Sequence, residues 1–385
     1  MKMTVIIPTR NRANTLRYAL LTCTAQAYED LEIIVSDNCS DDDTEAVVRS
    51  VNDPRVRYLK APRRISMRAN WEFALSHVSE GFVGLIGDDD GLLPDAIERA
   101  ASFLARSGLK ALTSVLAFYR WPCAPDSIKN SGGIPFRPAG DVTRNSAEYI
   151  DKTLRGTGGF YIHDLPSLYY GFADVSLTRP PAGDQFFNSM IPDAYSAFAI
   201  AAQVATFGYL AEPLFIMGSS GRSNGVSTFV KDAGNEEFDS FMIEKDFPFH
   251  PDYRVCKSVA VSVHESFRQV LERYPDLAQV ARANPRDLIQ YMAREVNDRN
   301  RGELLAAALD MGSRWGIEQS EVQKAFKRRN IFVSKLIIYV RRRLRHEIKL
   351  SKYPDMLIHG VGNSLQAALF FHEEIQRMKA NGRQP

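Results

Sequence analysis

The sequence has few of the features that mark a secreted, membrane-spanning or thiolate-rich protein. Its 385 residues include four cysteines, which are scattered, with no CxxC pair and no spacing typical of a disulfide framework. No apolar run approaches membrane-spanning length, and the N-terminus enters a strand pattern without a signal peptide. The formal net charge of +2 argues against a nucleic-acid binder governed by global charge, although local patches are allowed. We therefore expect a cytosolic protein.

The first hundred residues alternate between strand and helix patterns. Repeated β-α-β units of this length predict a parallel sheet with helices on both faces, and hence an α/β fold. From about Tyr253 the apolar spacing becomes helical. We expect an α/β domain over residues 1–230 and a helical region over residues 231–385. The strand patterns lie at Thr4–Ile7, Leu31–Val35, Arg55–Leu59 and Phe82–Ile86.

Three consecutive carboxylates, Asp88 to Asp90, follow the strand pattern that begins at Phe82. A helix is predicted to begin near Pro94, so the acids lie at the carboxyl end of a predicted parallel strand, where open α/β sheets bind ligands. Three neighbouring carboxylates repel one another, and a divalent cation with its phosphate ligands would neutralise them. The alternative is a solvated turn that caps the next helix.

Four segments in order resemble the inverting GT-A glycosyltransferases of family 2. The resemblance covers roughly residues 2 to 225, and its specificity falls after about residue 106. It implies a GT-A fold, a Rossmann-like and mostly parallel sheet with helices on both faces, and the transfer of a sugar from a nucleotide-diphosphate donor. The segments are Val5 to Arg12, Glu32 to Asp42, Arg68 to Asn70 and Gly87 to Pro94.

The resemblance also implies a set of donor-binding residues. The first loop lies against the nucleoside, and Asp37 accepts a hydrogen bond from the base, because an ionised carboxylate can only accept. The alternatives are an Asx turn for Asp37 and a surface ion pair for Arg68. The set implied in this way is Pro8, Thr9, Arg10, Arg12, Asp37, Arg68, Asn70 and Asp88, and Arg222 is added from a loop described below.

The acidic motif resembles the family's metal-binding D-x-D motif with one departure. Anchoring on Leu92 and Pro94 puts Gly87 where the first acid of the common pattern would stand. Asp88 is then expected to contact the ribose and Asp89 to bind the metal, with Asp90 a direct or indirect partner. Hard oxygen ligands together with a diphosphate suit Mg²⁺ or Mn²⁺.

An acid also opens the almost wholly apolar helix pattern that begins near Pro192. In many family 2 enzymes the acid at this place, usually within Glu-Asp, is the catalytic base, so the resemblance implies that role for Asp193. Pro192 replaces the glutamate here. A helix N-cap is the alternative role for Asp193, and Asp184 is the alternative base.

The glycine-rich stretch from Phe215 to Phe229 is expected to form a mobile loop over the donor, with Arg222 placed to contact diphosphate oxygens. An ordinary surface connection is the alternative. Upstream, the aromatic residues of the segment 161–170 are expected to pack in the core rather than to stack on a sugar ring.

Basic and apolar residues alternate over residues 324–349 in the manner of an amphipathic helix. Such a helix can lie on an anionic membrane surface near a lipid-linked acceptor, which would place the protein on the cytoplasmic face of the membrane. The alternative, which we favour, is a helix packed on its own domain or across a dimer.

Three functions are consistent with these patterns. The first is a metal-dependent, inverting glycosyltransferase that adds a sugar to a growing glycan, such as a surface polysaccharide or a lipid-linked oligosaccharide. The second is a sugar-phosphate nucleotidyltransferase, although these enzymes usually carry a glycine-rich phosphate loop after the first strand, and residues 8–12 contain no glycine. The third is a sugar- or partner-binding protein on a decayed transferase fold. Donor base, sugar, acceptor and linkage are set by loop shape rather than by these motifs.

Overall fold

The structure is a computed structural model. It describes residues 1–126, 131–134, 140–158, 161–180, 185–223, 243–297, 299–327, 356–357 and 361–380. The fallback base Asp184 and most of the basic stretch 324–349 lie outside the described residues.

The described strands begin with the four that the sequence predicts. Their bounds are β1 Met3–Thr9, β2 Leu31–Asp37, β3 Val56–Lys60, β4 Phe82–Leu85, β5 Gly91–Leu92, β6 Ala111–Arg120, β7 Ser131–Gly133, β8 Val142–Asn145, β9 Gly171–Asp174, β10 Thr206–Ser219 and β11 Met356–Leu357.

The helices alternate with the first strands and then follow one another. Their bounds are α1 Ala13–Thr24, α2 Thr44–Ser50, α3 Met67–Leu75, α4 Ala96–Ser107, α5 Ser146–Leu154, α6 Pro192–Ala201, α7 Val259–Arg273, α8 Pro285–Glu295, α9 Arg301–Arg314, α10 Gln319–Phe326 and α11 Ser364–Ala380. Two short 3₁₀ helices lie at Val175–Thr178 and Pro275–Gln279.

These strands form a single mixed sheet in the order β11-β7-β6-β9-β4-β1-β2-β3, with β10 paired to β5, β6 and β8. The neighbours β3, β2, β1 and β4 run parallel. Parallel neighbours need crossover connections, and α1, α2 and α3 supply them. The predicted α/β fold with a parallel central sheet is confirmed.

Alternate residues of a strand point to opposite faces, and both faces of β1, β2 and β4 are buried. Ile6 belongs to one core with helices α3, α5, α6 and α7. Its neighbours Val5 and Ile7 belong to a second core with α1 and α4. This packing explains why the strands are apolar throughout rather than alternating, and it confirms helices on both faces.

Residues beyond 230 pack in two places. Helices α8, α9 and α10 share an apolar core with part of α7, whose other face packs against α6. Helix α11 lies apart from them and packs its Ala367, Phe371 and Ile375 against Tyr119 and Trp121 of the α/β part. The domain boundary at residue 230 stays a prediction. Helix α11 lies beyond that residue but packs against the α/β part.

Two details differ from the sequence predictions. Residues 215–219, expected in a mobile loop, form the end of β10, because Phe215 and Ile216 are buried between β5 and β6. Helix α4 begins at Ala96 rather than at Pro94, since Asp95 has a left-handed φ of 61°. Within the described part of the chain, no helix combines the length and the apolar character that a bilayer crossing needs.

Candidate functional site

The predicted site residues gather where the parallel strands end. Strand β1 ends at Thr9, β2 at Asp37 and β4 at Leu85, just before the acidic turn. Because these strands are parallel, their carboxyl ends meet at one edge of the sheet, which is where ligands of such sheets bind.

Asp88 joins the acidic turn to the loop after β1. Its carboxylate accepts hydrogen bonds from the Thr9 hydroxyl at 2.7 Å and from the Arg12 guanidinium at 3.1 Å. Burial raises the pKa of Asp88 to about 6. The positive charge of Arg12 opposes this rise, and the neighbouring Asp89 charge adds to it. Thr9, Arg12 and Asp88 therefore form one buried network.

Asp89 faces the end of β10 instead. Its Oδ2 atom accepts hydrogen bonds from the Ser220 main-chain N–H at 3.1 Å, the Ser220 hydroxyl at 2.7 Å and the Ser223 hydroxyl. Its main-chain carbonyl accepts the indole N–H of Trp121 at 2.8 Å. Two hydroxyl groups and one main-chain N–H thus donate to a single oxygen of this carboxylate.

Asp90 has no exposed surface and accepts four hydrogen bonds. Tyr170 and the Gly218 N–H donate to Oδ1 at 2.8 and 2.7 Å, and Tyr169 and the Gly87 N–H donate to Oδ2 at 2.8 and 2.6 Å. Burial and the Asp89 charge raise its pKa to about 7. Because both oxygens are engaged, Asp90 ties three segments together, and a metal would have to displace one of these donors. Its predicted metal role stays a prediction.

Two glycines allow this close packing. A Cβ on Gly87 would lie 2.8 Å from Oδ2 of Asp90 and 2.9 Å from the Tyr169 hydroxyl. A Cβ on Gly218 would lie 1.8 Å from the Asp89 carbonyl oxygen. Gly87, which departs from the acidic pattern, thus leaves room for the Asp90 carboxylate and the Tyr169 hydroxyl.

Asp37 is fully buried at the end of β2. Its Oδ1 accepts the Ser40 N–H, three residues on, at 2.8 Å, and its Oδ2 accepts the Tyr58 hydroxyl at 2.5 Å. Burial raises the pKa of the Tyr58 hydroxyl most, and its hydrogen bond to Asp37 raises that pKa further. Tyr58, which the sequence did not indicate, thus occupies one oxygen of Asp37.

Arg68 and Asn70 lie on α3 and play different parts. Asn70 exchanges hydrogen bonds with the side chain and carbonyl of Ser36, at 2.9 and 3.1 Å, and so holds the end of β2. Arg68 forms a two-pronged ion pair with Asp246, at 3.0 and 2.6 Å. Burial raises the pKa of Asp246, but hydrogen bonds from Arg68 and Ser66 leave it lowered.

Glu244, two residues before Asp246, contacts two further arginines. Arg10 of the first loop and Arg64 before α3 both donate to its carboxylate. Glu244, Asp246 and Arg64 were not recognised in the sequence, because the contacts join segments about 180 residues apart and leave no local pattern.

Arg222 lies beside the first loop and is exposed. Its guanidinium donates to the Asn11 carbonyl at 2.9 Å, and its own carbonyl accepts a hydrogen bond from Arg12. Arg12 therefore links Asp88 to the segment after β10. The predicted diphosphate contact of Arg222 stays a prediction.

Asp193 lies half-buried in the first turn of α6, behind Pro192. Burial raises its pKa, although the Ala194 N–H and the Tyr161 hydroxyl donate to the carboxylate and lower it. Tyr161 has a left-handed φ of 56°, a strained conformation for a tyrosine. The side chain of Asp193 makes no described contact with the acidic turn.

The segment 161–170 connects Asp193 to the acidic turn. Tyr161 contacts Asp193 at one end, and Tyr169 and Tyr170 contact Asp90 at the other. Between them the Ser167 hydroxyl donates to the Asp193 carbonyl at 3.4 Å. One aromatic segment thus contacts both predicted reaction centres, with Tyr170 buried and Tyr161 and Tyr169 half-buried.

The acidic turn offers oxygen ligands of the kind that magnesium and manganese ions prefer, but not a complete set. Among the described residues, no three histidine, cysteine or acidic side chains cluster as a ready-made metal cage. Mg²⁺ is commonly held by one or two carboxylates plus substrate phosphates and water, and it needs no such cage. A metal ion at Asp89 would have to displace the hydroxyl and N–H donors that now contact its Oδ2.

Comparison with known proteins gives a partial match. Residues 4–138 match the family model described as Glycosyl transferase family 2. A Campylobacter jejuni protein named GalNAc(5)-diNAcBac-PP-undecaprenol beta-1,3-glucosyltransferase is 39% identical over 99 residues, which cover 25% of this chain and 32% of that protein. The succinoglycan biosynthesis protein ExoO of Rhizobium meliloti is 28% identical over 97 residues, or 25% and 28% of the two chains.

The match therefore spans less than a third of the length of these two relatives. Among solved structures, residues 1–349 of Staphylococcus aureus TarS in complex with UDP-GlcNAc align with a TM-score of 0.49 and 13% identity. That alignment covers 85% of this chain and 90% of the other.

Proposed function

We propose that this chain, whose residues 4–138 match the model of Glycosyl transferase family 2, transfers a sugar from a nucleotide-diphosphate donor to an acceptor hydroxyl. The observation that carries the proposal is the Thr9–Asp88 hydrogen bond of 2.7 Å. It joins the loop predicted to hold the nucleoside to the acids predicted to hold the ribose and diphosphate, and both lie at the ligand-binding edge of the sheet.

The donor would lie across this edge. Its base would replace the Tyr58 hydroxyl as a hydrogen-bond donor to Asp37, and its ribose would contact Asp88. The loop from Pro8 to Arg12 covers the nucleoside, and its arginines Arg10 and Arg12, together with Arg222, would lie beside the diphosphate. Guanidinium groups suit that role because they donate parallel hydrogen bonds to phosphate oxygens.

Asp89 would hold the Mg²⁺ or Mn²⁺ ion, in place of the Ser220 and Ser223 donors. When bound, such an ion neutralises negative charge on the departing nucleoside diphosphate. The protein's own contribution at this point is to hold the Asp89 backbone through the indole N–H of Trp121.

Asp193 would act as the general base. It takes the proton from the acceptor hydroxyl while that oxygen bonds to the anomeric carbon, and the bond from that carbon to the diphosphate oxygen breaks. Because attack and departure occur on opposite faces, the configuration inverts. Burial raises the pKa of Asp193, which brings a carboxylate closer to the basicity that proton transfer needs.

We further propose a lipid-linked or polysaccharide acceptor. The name of the Campylobacter jejuni relative places a diphosphate-linked undecaprenol on its acceptor, and ExoO is named for succinoglycan biosynthesis. A sugar-phosphate nucleotidyltransferase is disfavoured, because the loop after β1 lacks the glycines that wrap a triphosphate.

Thermal stability tests the donor and the metal together. Binding to the folded state raises the unfolding temperature by mass action, so UDP, GDP, dTDP, CMP and ATP are compared with and without Mn²⁺. We expect one nucleoside diphosphate to stabilise the chain in a metal-dependent way. Asp89→Ala should abolish that shift, and Asp43→Ala, at an exposed acid before α2, should retain it.

Turnover completes the test. The donor identified by its nucleotide is incubated with an acceptor, and Asp193→Asn is compared with wild type. We expect unchanged nucleotide binding and a loss of transfer in the variant. Full activity of Asp193→Asn would remove Asp193 as the base. No shift with any nucleotide would favour a binding protein on a decayed transferase fold.

A further inference from the structure

Three arginines from three separate segments converge on one short acidic segment, residues 244–246. Arg10 follows β1, Arg64 precedes α3 and Arg68 lies in α3. Glu244 accepts from Arg10 and Arg64, and Asp246 accepts from both prongs of Arg68. Three guanidinium groups brought to one place repel one another unless an anion lies between them.

The arginines bind these carboxylates in the manner of an anion site. Arg68 is 8% exposed, donates at 3.0 and 2.6 Å to the two oxygens of Asp246, and lies 5.8 Å from the ring of Phe247. Glu244 uses a different oxygen for each of its two arginines. Two carboxylates separated by one residue thus present two neighbouring negative groups, as a diphosphate does.

The acidic segment is attached independently of these ion pairs. Immediately after it, the Pro248 carbonyl accepts a hydrogen bond from Gln269 at 3.2 Å, and the His250 N–H donates to Glu265 at 3.0 Å. Both partners lie on α7. Loss of the acid–arginine pairs therefore leaves the chain anchored from Pro248 onward.

We infer that Glu244 and Asp246 are internal substitutes for a phosphate-bearing ligand. Arg10, Arg64 and Arg68 form one diphosphate-binding site, which either these two carboxylates or the ligand can occupy. This inference rests on the proposed function for the identity of the ligand. Exchange is feasible because a phosphate group offers these arginines the same charge-assisted hydrogen bonds that the carboxylates accept. Arg64 is assigned to the site by this geometry alone.

Competition predicts a specific pattern of affinities. In Glu244→Gln/Asp246→Asn the shape of the segment is kept and its charge is removed, so we expect UDP and inorganic pyrophosphate to bind about tenfold more tightly. Uridine, which has no phosphate, should bind as in wild type. The control Asp276→Asn/Glu318→Gln removes the same charge at two exposed helical-region positions and should change none of the three affinities.

A second pair of variants tests Arg64 itself. Arg64→Gln should weaken pyrophosphate binding several-fold in the background of the Glu244/Asp246 double variant, because the site loses one of three cations. Arg63→Gln, at the exposed neighbouring arginine, should leave pyrophosphate binding unchanged. Isothermal titration calorimetry with folded chains, checked by far-ultraviolet circular dichroism, measures all of these affinities.

The outcomes separate this inference from the proposed function. If wild type binds UDP while the double variant binds it equally or more weakly, the exchange is overturned and the transferase proposal stands. An equal gain for uridine and UDP also overturns it, because the acids then obstruct the nucleoside rather than compete with phosphate. If no nucleotide or pyrophosphate binds either chain, both proposals fail.

Discussion

The indole N–H of Trp121 donates a 2.8 Å hydrogen bond to the main-chain carbonyl of Asp89. Trp121 also belongs to the apolar cluster that contains Phe371 of α11. The backbone of the proposed metal-binding acid is therefore held by a side chain that the last described helix covers.

Trp121→Phe should weaken metal-dependent nucleotide binding. The substitution keeps an aromatic ring but removes the only donor group of the indole, at a cost of about 1–2 kcal/mol in the free energy of unfolding. Nucleotide affinity is measured with and without Mn²⁺. Trp315→Phe, which alters a tryptophan packed on Tyr253 in the helical region, is the control. Equal metal-dependent affinities in the two variants would contradict a positioning role for Trp121.

Tyr161→Phe should shift the acid limb of the pH–rate profile to higher pH. The Tyr161 hydroxyl lowers the pKa of Asp193, so its removal raises that pKa, and a base must be deprotonated to act. The measurement is kcat against pH at saturating donor. Tyr253→Phe, in the helical region, should leave the profile in place. An unmoved acid limb in Tyr161→Phe would separate Tyr161 from the base.

His264 should make the chain less stable in acid. Burial lowers its pKa from 6.5 to about 4, and its Nε2 donates to the Leu154 carbonyl at 2.7 Å. Because the folded pKa is depressed, the unfolded chain takes up a proton first. The stability that the neutral ring contributes is present above about pH 6.5 and is lost as pH falls toward 4, up to about 3 kcal/mol.

The free energy of unfolding at pH 7.5 and pH 4.5 checks this effect. The difference between the two values should be smaller in His264→Gln than in wild type by about 2 kcal/mol. His77→Gln, at a half-buried histidine following α3, should keep the wild-type difference. Identical differences in all three chains would remove His264 as the titrating group.

Glu295→Gln should stabilise the chain in mildly alkaline solution. Burial raises the pKa of Glu295 to about 7, with Ser258 and the Ala260 N–H donating to it at 2.6 and 2.8 Å. A raised carboxyl pKa favours the folded state when the group is protonated, and this contribution is lost as pH rises through about 7. At pH 8 the uncharged glutamine should gain roughly 1–2 kcal/mol.

Chemical denaturation at pH 8 and pH 5 measures the gain, which should shrink at the lower pH. Glu303→Gln is the control, because Glu303 is exposed and accepts a hydrogen bond from the Lys257 N–H at 3.0 Å. A Glu295→Gln chain less stable than wild type at pH 8 would show that the hydrogen bonds outweigh the burial of charge.

Local pattern was enough to predict the parallel strands and the acidic turn, since each is specified by consecutive residues. The end of β10 was missed because its glycine content suggests a loop. Gly218 is there for another reason, the approach of its backbone to the Asp89 carbonyl. The contact of Arg64 with Glu244 spans 180 residues, and no period or spacing in the sequence connects two such positions. Only the folded chain brings them together.

Helix α11 is synthesised after the apolar surface that it covers. The apolar surface around Tyr119, Trp121 and Ile216 is covered by residues 364–380. A nascent chain that has emerged only as far as β10 still lacks this helix. The apolar surface behind the acidic turn therefore stays exposed to water until the ribosome has released α11. We expect the growing chain to need protection from aggregation during that interval.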